Sequence, residues 1–267
     1  MAGTELFDLK GRVAMVTGAG QGVGRGIARA LASSGAGGIV VNDFYADRAD
    51  QVVAEIKAMG VDAVPMVTDV GDLDQVRAGI TQAESKLGSI AILVNNAGNG
   101  GPEGFPREMP LFWQTRPEDW QRFFRVNLFG VMNCCHALLP GMVERRYGRI
   151  VTIISDAGRT IEPRQADYAA AKAGAAGFMR GVAADAARFG VTANSIAIST
   201  IRPNMPPEQL DAFMSSDRAK AQLMHYTVRR FGLPEDIAGT ALLLCSDAAS
   251  WITGQTYPVD GGYSCSL

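Results

Sequence analysis

A tyrosine, a lysine four residues after it and a serine thirteen residues before it (Tyr168, Lys172 and Ser155) are the side chains of this 267-residue chain best equipped for chemistry. On a helix, positions i and i+4 share a face, so the phenol and the ammonium point the same way. A phenol ordinarily ionises near pH ~10 and is a weak base at neutrality. A neighbouring ammonium favours the phenolate and brings that pKa down. A serine hydroxyl can hydrogen-bond the oxygen on which the proton is exchanged. Together the three suit the movement of a proton on or off an alcohol or ketone oxygen. Tyr and Lys fall four apart by chance in most chains of this size, so the reading depends on whether the rest of the sequence can hold a hydride carrier.

The elements that must position these residues are legible. Arg149 to Ile154 is an apolar strand that delivers Ser155 at its C-terminal end, where α/β sheets place their ligands. A helix is expected over Asp167 to Phe189, rich in alanine and glycine, smooth enough for a neighbouring helix or a second subunit to approach closely. A carrier site is expected at the other end of the chain. Arg12 to Thr17 reads as a strand, followed by a glycine turn, T-G-x-x-x-G-x-G, and a helical pattern through Ile27 and Leu31. Strand, glycine turn and helix form the dinucleotide-binding arrangement: the backbone can approach a pyrophosphate, and the helix N-terminus supplies free N–H groups. Gly18, Gln21, Gly22, Val23 and Gly24 are the expected contacts in this turn. The next apolar run, Gly38 to Asn42, ends at Asp43, placed to accept hydrogen bonds from the adenosine ribose. A carboxylate there repels a 2′-phosphate, so NAD (as NAD+ or NADH) is expected over NADP.

Further strands are expected at Ala63 to Val67, Ile90 to Val94, Val191 to Ile198 and Gln255 to Val259, alternating with helices at Asp47 to Met59, Asp72 to Leu87 and Pro234 to Cys245. Such alternation predicts an α/β fold: a doubly wound parallel sheet of about seven strands with helices on both faces, in a single domain over 1–267. Glu118 to Arg146 reads as a long helical region that Pro140 should kink or divide. Two stretches break the pattern. The loop at 99–117 carries Phe105, Phe112 and Trp113; the segment at 203–226 carries Met205, Met214 and Met224. Both are expected on the substrate side, as a functional loop and a lid.

Composition narrows the function classes. The net charge of −2 and 47% hydrophobic content describe an ordinary globular chain, with no basic excess for nucleic acid. The first residues lack the apolar core of a signal peptide, and no apolar run approaches the ~20 residues of a membrane span. Cys134, Cys135, Cys245 and Cys265 lack metal-type spacing, and the only histidines are His136 and His225. Free thiols in a reducing cytoplasm and no metal site are expected.

Taken together, these residues resemble the short-chain dehydrogenase/reductase family over essentially the whole chain. The matches are the Thr17–Gly24 turn, Asp69-Val70, Asn95-Asn96-Ala97-Gly98, Asn127, Ser155, Tyr168-x-x-x-Lys172, the run Arg230 to Ala238, and Ile252 to Gln255 with Asp260-Gly261-Gly262. The resemblance implies a Rossmann-type sheet and a four-member catalytic set of Asn127, Ser155, Tyr168 and Lys172. In that set Tyr168 is the acid/base and Ser155 polarises the substrate oxygen. Lys172 tunes Tyr168 and holds the nicotinamide ribose, while Asn127 anchors a water in the proton relay. It also implies that Asp69 and Val70 meet the adenine and that Asn95, Ala97 and Gly98 lie along the cofactor. A homo-oligomer, dimer or tetramer, is implied as well.

One stretch departs from the family pattern. Ile198-Ser199 stands where a Pro-Gly pair is usual, and Pro203 where a threonine contacts the cofactor. Ser199 takes φ > 0 less cheaply than glycine, so the turn beside the nicotinamide is expected to differ. Thr200 is a stand-in for the threonine, and Ile201 is counted among the cofactor contacts. The segment Ala137 to Arg146 and Ser155-Asp156-Ala157 are similar to dehydrogenases of alicyclic hydroxyacyl-CoA thioesters, and a hydroxysteroid-like substrate fits equally. The reading is therefore an NAD-dependent dehydrogenase of a bulky secondary alcohol or its ketone. The alternatives are an epimerase or dehydratase on the same fold, or a non-enzymatic dinucleotide-binding protein.

Overall fold

The structure, a computed structural model, describes residues 5–98, 109–160, 162–203 and 205–265. Seven strands, β1 (Val13–Val16), β2 (Gly38–Asp43), β3 (Ala63–Val67), β4 (Ile90–Asn95), β5 (Gly148–Ser155), β6 (Val191–Ile198) and β7 (Thr256–Val259), form one sheet in the order β3-β2-β1-β4-β5-β6-β7. Every pairing is parallel. The order reverses between β1 and β4, the switch point at which such sheets open a crevice beyond their strand ends.

Alternation along β1 explains how one short strand serves two layers. Ala14 and Val16 join a core that also holds Ile27, Leu31, Val52 and Ile56, from α1 (Gly22–Ser33) and α2 (Ala46–Ala58). Val13 and Met15 turn to the opposite core, with Val76 and Ile80 from α3 (Leu73–Leu87) and Met179 and Val182 from α6 (Ala166–Ala186). Each fully buried aliphatic side chain of this kind contributes about 1.5–3 kcal/mol. α9 (Pro234–Cys245) completes the first layer against α1, adding Ile237 and Leu244.

The long helical region runs without interruption from Pro117 to Glu144, as α4 (Pro117–Phe124), a π-helical turn over Arg125–Phe129, and α5 (Gly130–Glu144). It is long and apolar enough to cross a membrane, yet Val131, Cys134, Cys135, Leu138 and Met142 sit in the core. The expected break at Pro140 is absent. Pro140 lies on the exposed face, and the carbonyl its ring frees belongs to exposed His136, where water can satisfy it. The irregularity falls instead at the π-turn, where the Gly130 N–H reaches back to the Arg125 carbonyl. The 203–226 segment folds as two short helices, α7 (Pro207–Ser215) and α8 (Asp217–Leu223).

Candidate active site

Ser155 closes β5 and lies in register with Ile198, the last residue of β6. Its Oγ accepts the N–H of Ala157 at 3.2 Å, which turns the chain sharply as it leaves the sheet. α6 then brings Tyr168 and Lys172 alongside. A Cβ on Gly158 would lie 2.9 Å from the backbone N of Ala173, so only a glycine lets the helix sit this close to the serine turn. Phe123 packs edge-on against the Tyr168 ring at 5.8 Å. Burial pushes the Tyr168 phenol above its ordinary pKa, and a hydrogen bond with Ser155 works in the opposite direction.

Lys172 is buried, its Nζ donates to the Ile153 carbonyl at 3.0 Å, and desolvation lowers its pKa to about 8. Its Nζ lies 6.0 Å from the centre of the Tyr168 ring. Asn127 sits in the π-turn with no exposed surface. Its Nδ2 donates to the Phe123 carbonyl at 2.9 Å, four residues back along the helix that the wide turn disturbs. Tyr168, Lys172, Ser155 and Asn127 thus converge from three elements.

A groove of about 950 Å³ runs across the switch point. Of the sequence-predicted contacts, Gly18, Gln21, Gly22, Val23, Asp43, Asp69, Val70, Ala97, Gly98, Tyr168, Lys172 and Ile201 line it. Gly24 and Asn95 do not. Gly24 is packed beneath the Gly18 carbonyl. Asn95 points into the sheet, donating to Thr152 Oγ1 at 3.2 Å. Its neighbour Asn96 faces the groove instead, because successive side chains at a strand end point opposite ways. Asn96 Nδ2 bonds the carbonyls of Thr17 and Gly18 at 2.9 and 3.0 Å, and Thr17 Oγ1 accepts the N–H groups of Asn96 and Ala97. Asn96 thereby clamps the glycine turn. The doubled Asn95-Asn96 was the available signal for this, but it did not say which of the two faced out.

The groove suits a dinucleotide. Gly22 adopts φ +54° with open space where a Cβ would lie. The first N–H groups of α1 carry no side-chain cap, so they are available to a phosphate. At the far end Asp43 is buried and accepts the N–H of Gly20 and of Tyr45, each at 3.0 Å. Arg48, not anticipated from the sequence, lines the same end, its guanidinium 4.4 Å from the centre of the Tyr45 ring. Asp69 is engaged by Arg125 at 2.6 Å and by the Gly71 N–H.

Tyr168, Ser199 and Thr200 line this groove and also an adjoining cavity of about 600 Å³. Ser155 belongs to the second space, whose described walls include Asp156, Glu162, Gln165, Arg218, Gln222 and His225. Phe112, Trp113, Met205, Met214 and Met224 do not line it, and Phe105 lies outside the described residues. Phe112 stacks on Trp120, and Met214 packs in a small cluster with Tyr226 and Phe231. Ser199 avoids positive φ. Its hydroxyl instead shares a 2.8 Å hydrogen bond with the buried Tyr226 hydroxyl, which also accepts the Thr200 N–H at 3.2 Å.

A glycine-lined groove at the switch point, joined to a Ser–Tyr–Lys cluster, defines a dinucleotide-dependent oxidoreductase. A family model described as "Enoyl-(Acyl carrier protein) reductase" matches residues 18–264. The chain is 36% identical over 262 residues to the 7alpha-hydroxysteroid dehydrogenase of Escherichia coli K12, covering 98% of both. It is 39% identical over 250 residues to a 3-oxoacyl-[acyl-carrier-protein] reductase of Staphylococcus aureus, covering 93% of this chain and 96% of that one. Among solved structures, a gluconate 5-dehydrogenase from Burkholderia cenocepacia, in complex with NADP and tartrate, is similar with a TM-score of 0.86. It is 34% identical, with 99% of each chain covered. The chain belongs to the short-chain dehydrogenase/reductase family. It is an oxidoreductase working between a secondary alcohol and a ketone with a nicotinamide cofactor.

Proposed function

We propose that the protein is an NAD-preferring dehydrogenase of a bulky, alicyclic secondary alcohol, or reductase of the corresponding ketone, with Tyr168 as its acid/base. The observation that carries this is the position of Tyr168, whose side chain lines both the dinucleotide groove and the adjoining cavity. The bound nicotinamide supplies or takes the hydride. In the reducing direction the Tyr168 hydroxyl gives its proton to the ketone oxygen as the hydride reaches the carbon; in the oxidising direction the phenolate takes it back. Ser155 donates a hydrogen bond to the same oxygen. The Lys172 ammonium offsets the burial that disfavours the phenolate, and it lies where a ribose hydroxyl beside Gly98 would meet it. Asn127 holds the inner end of the proton path.

Asp43 supports NAD, since its carboxylate faces the groove where an adenosine ribose would lie and would repel a 2′-phosphate. Arg48 at the same end, and the NADP in the Burkholderia relative, favour some NADP use as a second reading. The cavity of about 600 Å³ falls within the ~300–1,000 Å³ range of ligand pockets and accommodates a fused or single carbocycle. A homo-oligomer in the cytoplasm is consistent with exposed Phe129 and Met132 on the α5 region and with the buried free thiols Cys134, Cys135 and Cys245.

The test is oxidation of NADH and NADPH against cyclic ketoacyl-CoA thioesters, ketosteroids and small free ketones, with Tyr168→Phe as control. Turnover of at least one class by the wild type and its loss in Tyr168→Phe, with NADH binding retained, is expected. Comparable activity in the variant would overturn the role given to Tyr168.

A further inference from the structure

The helix that roofs the cavity beside Ser155 and Tyr168 is turned so that one stripe of it, Arg218, Ala221 and Gln222, with His225 just beyond its end, faces the ligand space. These are positions i, i+3, i+4 and i+7, a single face. The opposite face fixes that orientation: Ala219 has no exposed surface, and Leu223 packs with it against Tyr226 and Phe231. The inward face is also pinned, because Gln222 Nε2 donates to Thr200 Oγ1 at 2.7 Å and so ties the helix to the turn beside the dinucleotide groove. Arg218 lies one helical turn from that tie. Among the described residues it makes no ion pair and no hydrogen bond, while most other arginines of the chain have a partner.

The acidic groups in the same wall each hold another partner, although Asp156 Oδ2 accepts no hydrogen bond. Glu162 accepts the Tyr263 hydroxyl. Asp156 is buried, ion-paired with Arg159 at 3.4 Å, and its pKa is raised to about 6 by burial and by nearby Asp260. Arg218 is the one arginine or lysine in the cavity's described wall, and its exposed guanidinium has no partner there.

We infer that the substrate carries an oxyanion, a carboxylate or a phosphate, on the side of its ring away from the reacting carbon, and that Arg218 recognises it. This rests on the dehydrogenase reading above and names its substrate class. A guanidinium matches both anions through two parallel N–H···O contacts, which an ammonium cannot reproduce. Arg218 is thus a specificity residue and takes no part in proton transfer.

Two ketone pairs test this: 4-oxocyclohexanecarboxylate against its methyl ester, and 4-oxocyclohexyl phosphate against 4-methoxycyclohexanone. Kinetics are read with NADH. Equilibrium binding is read by calorimetry on enzyme saturated with NAD+, where a ketone finds no hydride. The wild type should bind at least one anion about tenfold more tightly than its neutral partner, as a charge-assisted pair at a partly exposed site allows. Arg218→Gln should erase that preference through KM with kcat kept, Arg218→Lys should restore part of it, and Lys220→Gln on the outer face should leave it intact. The larger of the two preferences names the anion. Equal binding of anion and neutral partner by the wild type, or a preference that survives Arg218→Gln, would overturn the inference. Failure of the dehydrogenase reading is distinguishable: it is absence of turnover with every ketone, and the binding comparison still decides for or against Arg218.

Discussion

Lys172 Nζ and Asn127 Oδ1 converge on one backbone position: a Cβ built on Gly98 would lie 2.9 Å from each. The two polar ends thus press against the strand-end turn that borders the dinucleotide groove, and no side chain fits between them. Gly98→Ala must displace one of them. The expected outcome is a soluble, folded variant with kcat reduced by about a hundredfold, as misplacement near 1 Å can cause. Wild-type turnover in Gly98→Ala, with the circular dichroism spectrum unchanged, would show that neither group needs its present position.

Burial of Lys172 places function against stability. Its folded pKa of about 8 lies below the ordinary 10.5, so the folded chain holds the charged form at a cost below pH 8. Stability from this group therefore rises as pH climbs from about 8 toward 10.5. Lys172→Met should melt a few degrees higher than the wild type at pH 7, with the gap narrowing by pH 10, and should lose turnover. A lower melting temperature at pH 7 would mean that the 3.0 Å bond to the Ile153 carbonyl outweighs the desolvation.

Asp156 titrates the other way. Its pKa is raised from 3.8 to about 6, so the folded chain holds this proton more tightly than the unfolded one. The contribution is fully present below about pH 4 and is lost as pH rises through 6. Asp156→Asn should flatten the fall in melting temperature between pH 5 and pH 7. An unchanged slope would assign that fall to other groups.

At Asp43 two roles are superimposed: its oxygens hold the N–H groups of Gly20 and Tyr45, and its charge faces the groove. Asp43→Asn keeps the shape but leaves one N–H facing an amide nitrogen. Both cofactors should bind more weakly, and the NADH-to-NADPH ratio of kcat/KM should fall by about tenfold, corresponding to ~1.4 kcal/mol. A common loss with the ratio unchanged would leave Asp43 only its structural role.

What the sequence disclosed follows from which forces are local. The seven strands announce themselves as β-branched apolar runs, and the Tyr168–Lys172 pair follows from helical spacing alone. The glycine turn and Asp43 are legible because backbone approach and charge repulsion need particular residue types. Tertiary partners are not written this way. Whether Asn95 or Asn96 faces the groove depends on where β4 stops. Pro140 reads as a breaker because its exposure cannot be seen from its neighbours in sequence. The Ser199 turn reads only as a departure, since nothing local shows the Tyr226 hydroxyl that anchors it from 27 residues away. The methionines of the lid read as wall, although Met214 belongs to the apolar cluster behind it.

The widened turn at Arg125–Phe129 has a consequence for counting. An α-helix rotates about 100° per residue, so one extra residue in a turn shifts everything after it out of phase with everything before it. Ahead of the turn Phe123 meets Tyr168; after it Val131, Cys134, Cys135, Leu138 and Met142 meet the sheet. Removing a single residue from this stretch would heal the helix into a regular one. Either the core-facing stripe or Asn127 could then keep its bearing, but not both. The asparagine is held in place by arithmetic as much as by chemistry, and a one-residue deletion that changes no catalytic side chain would silence the site as surely as a substitution.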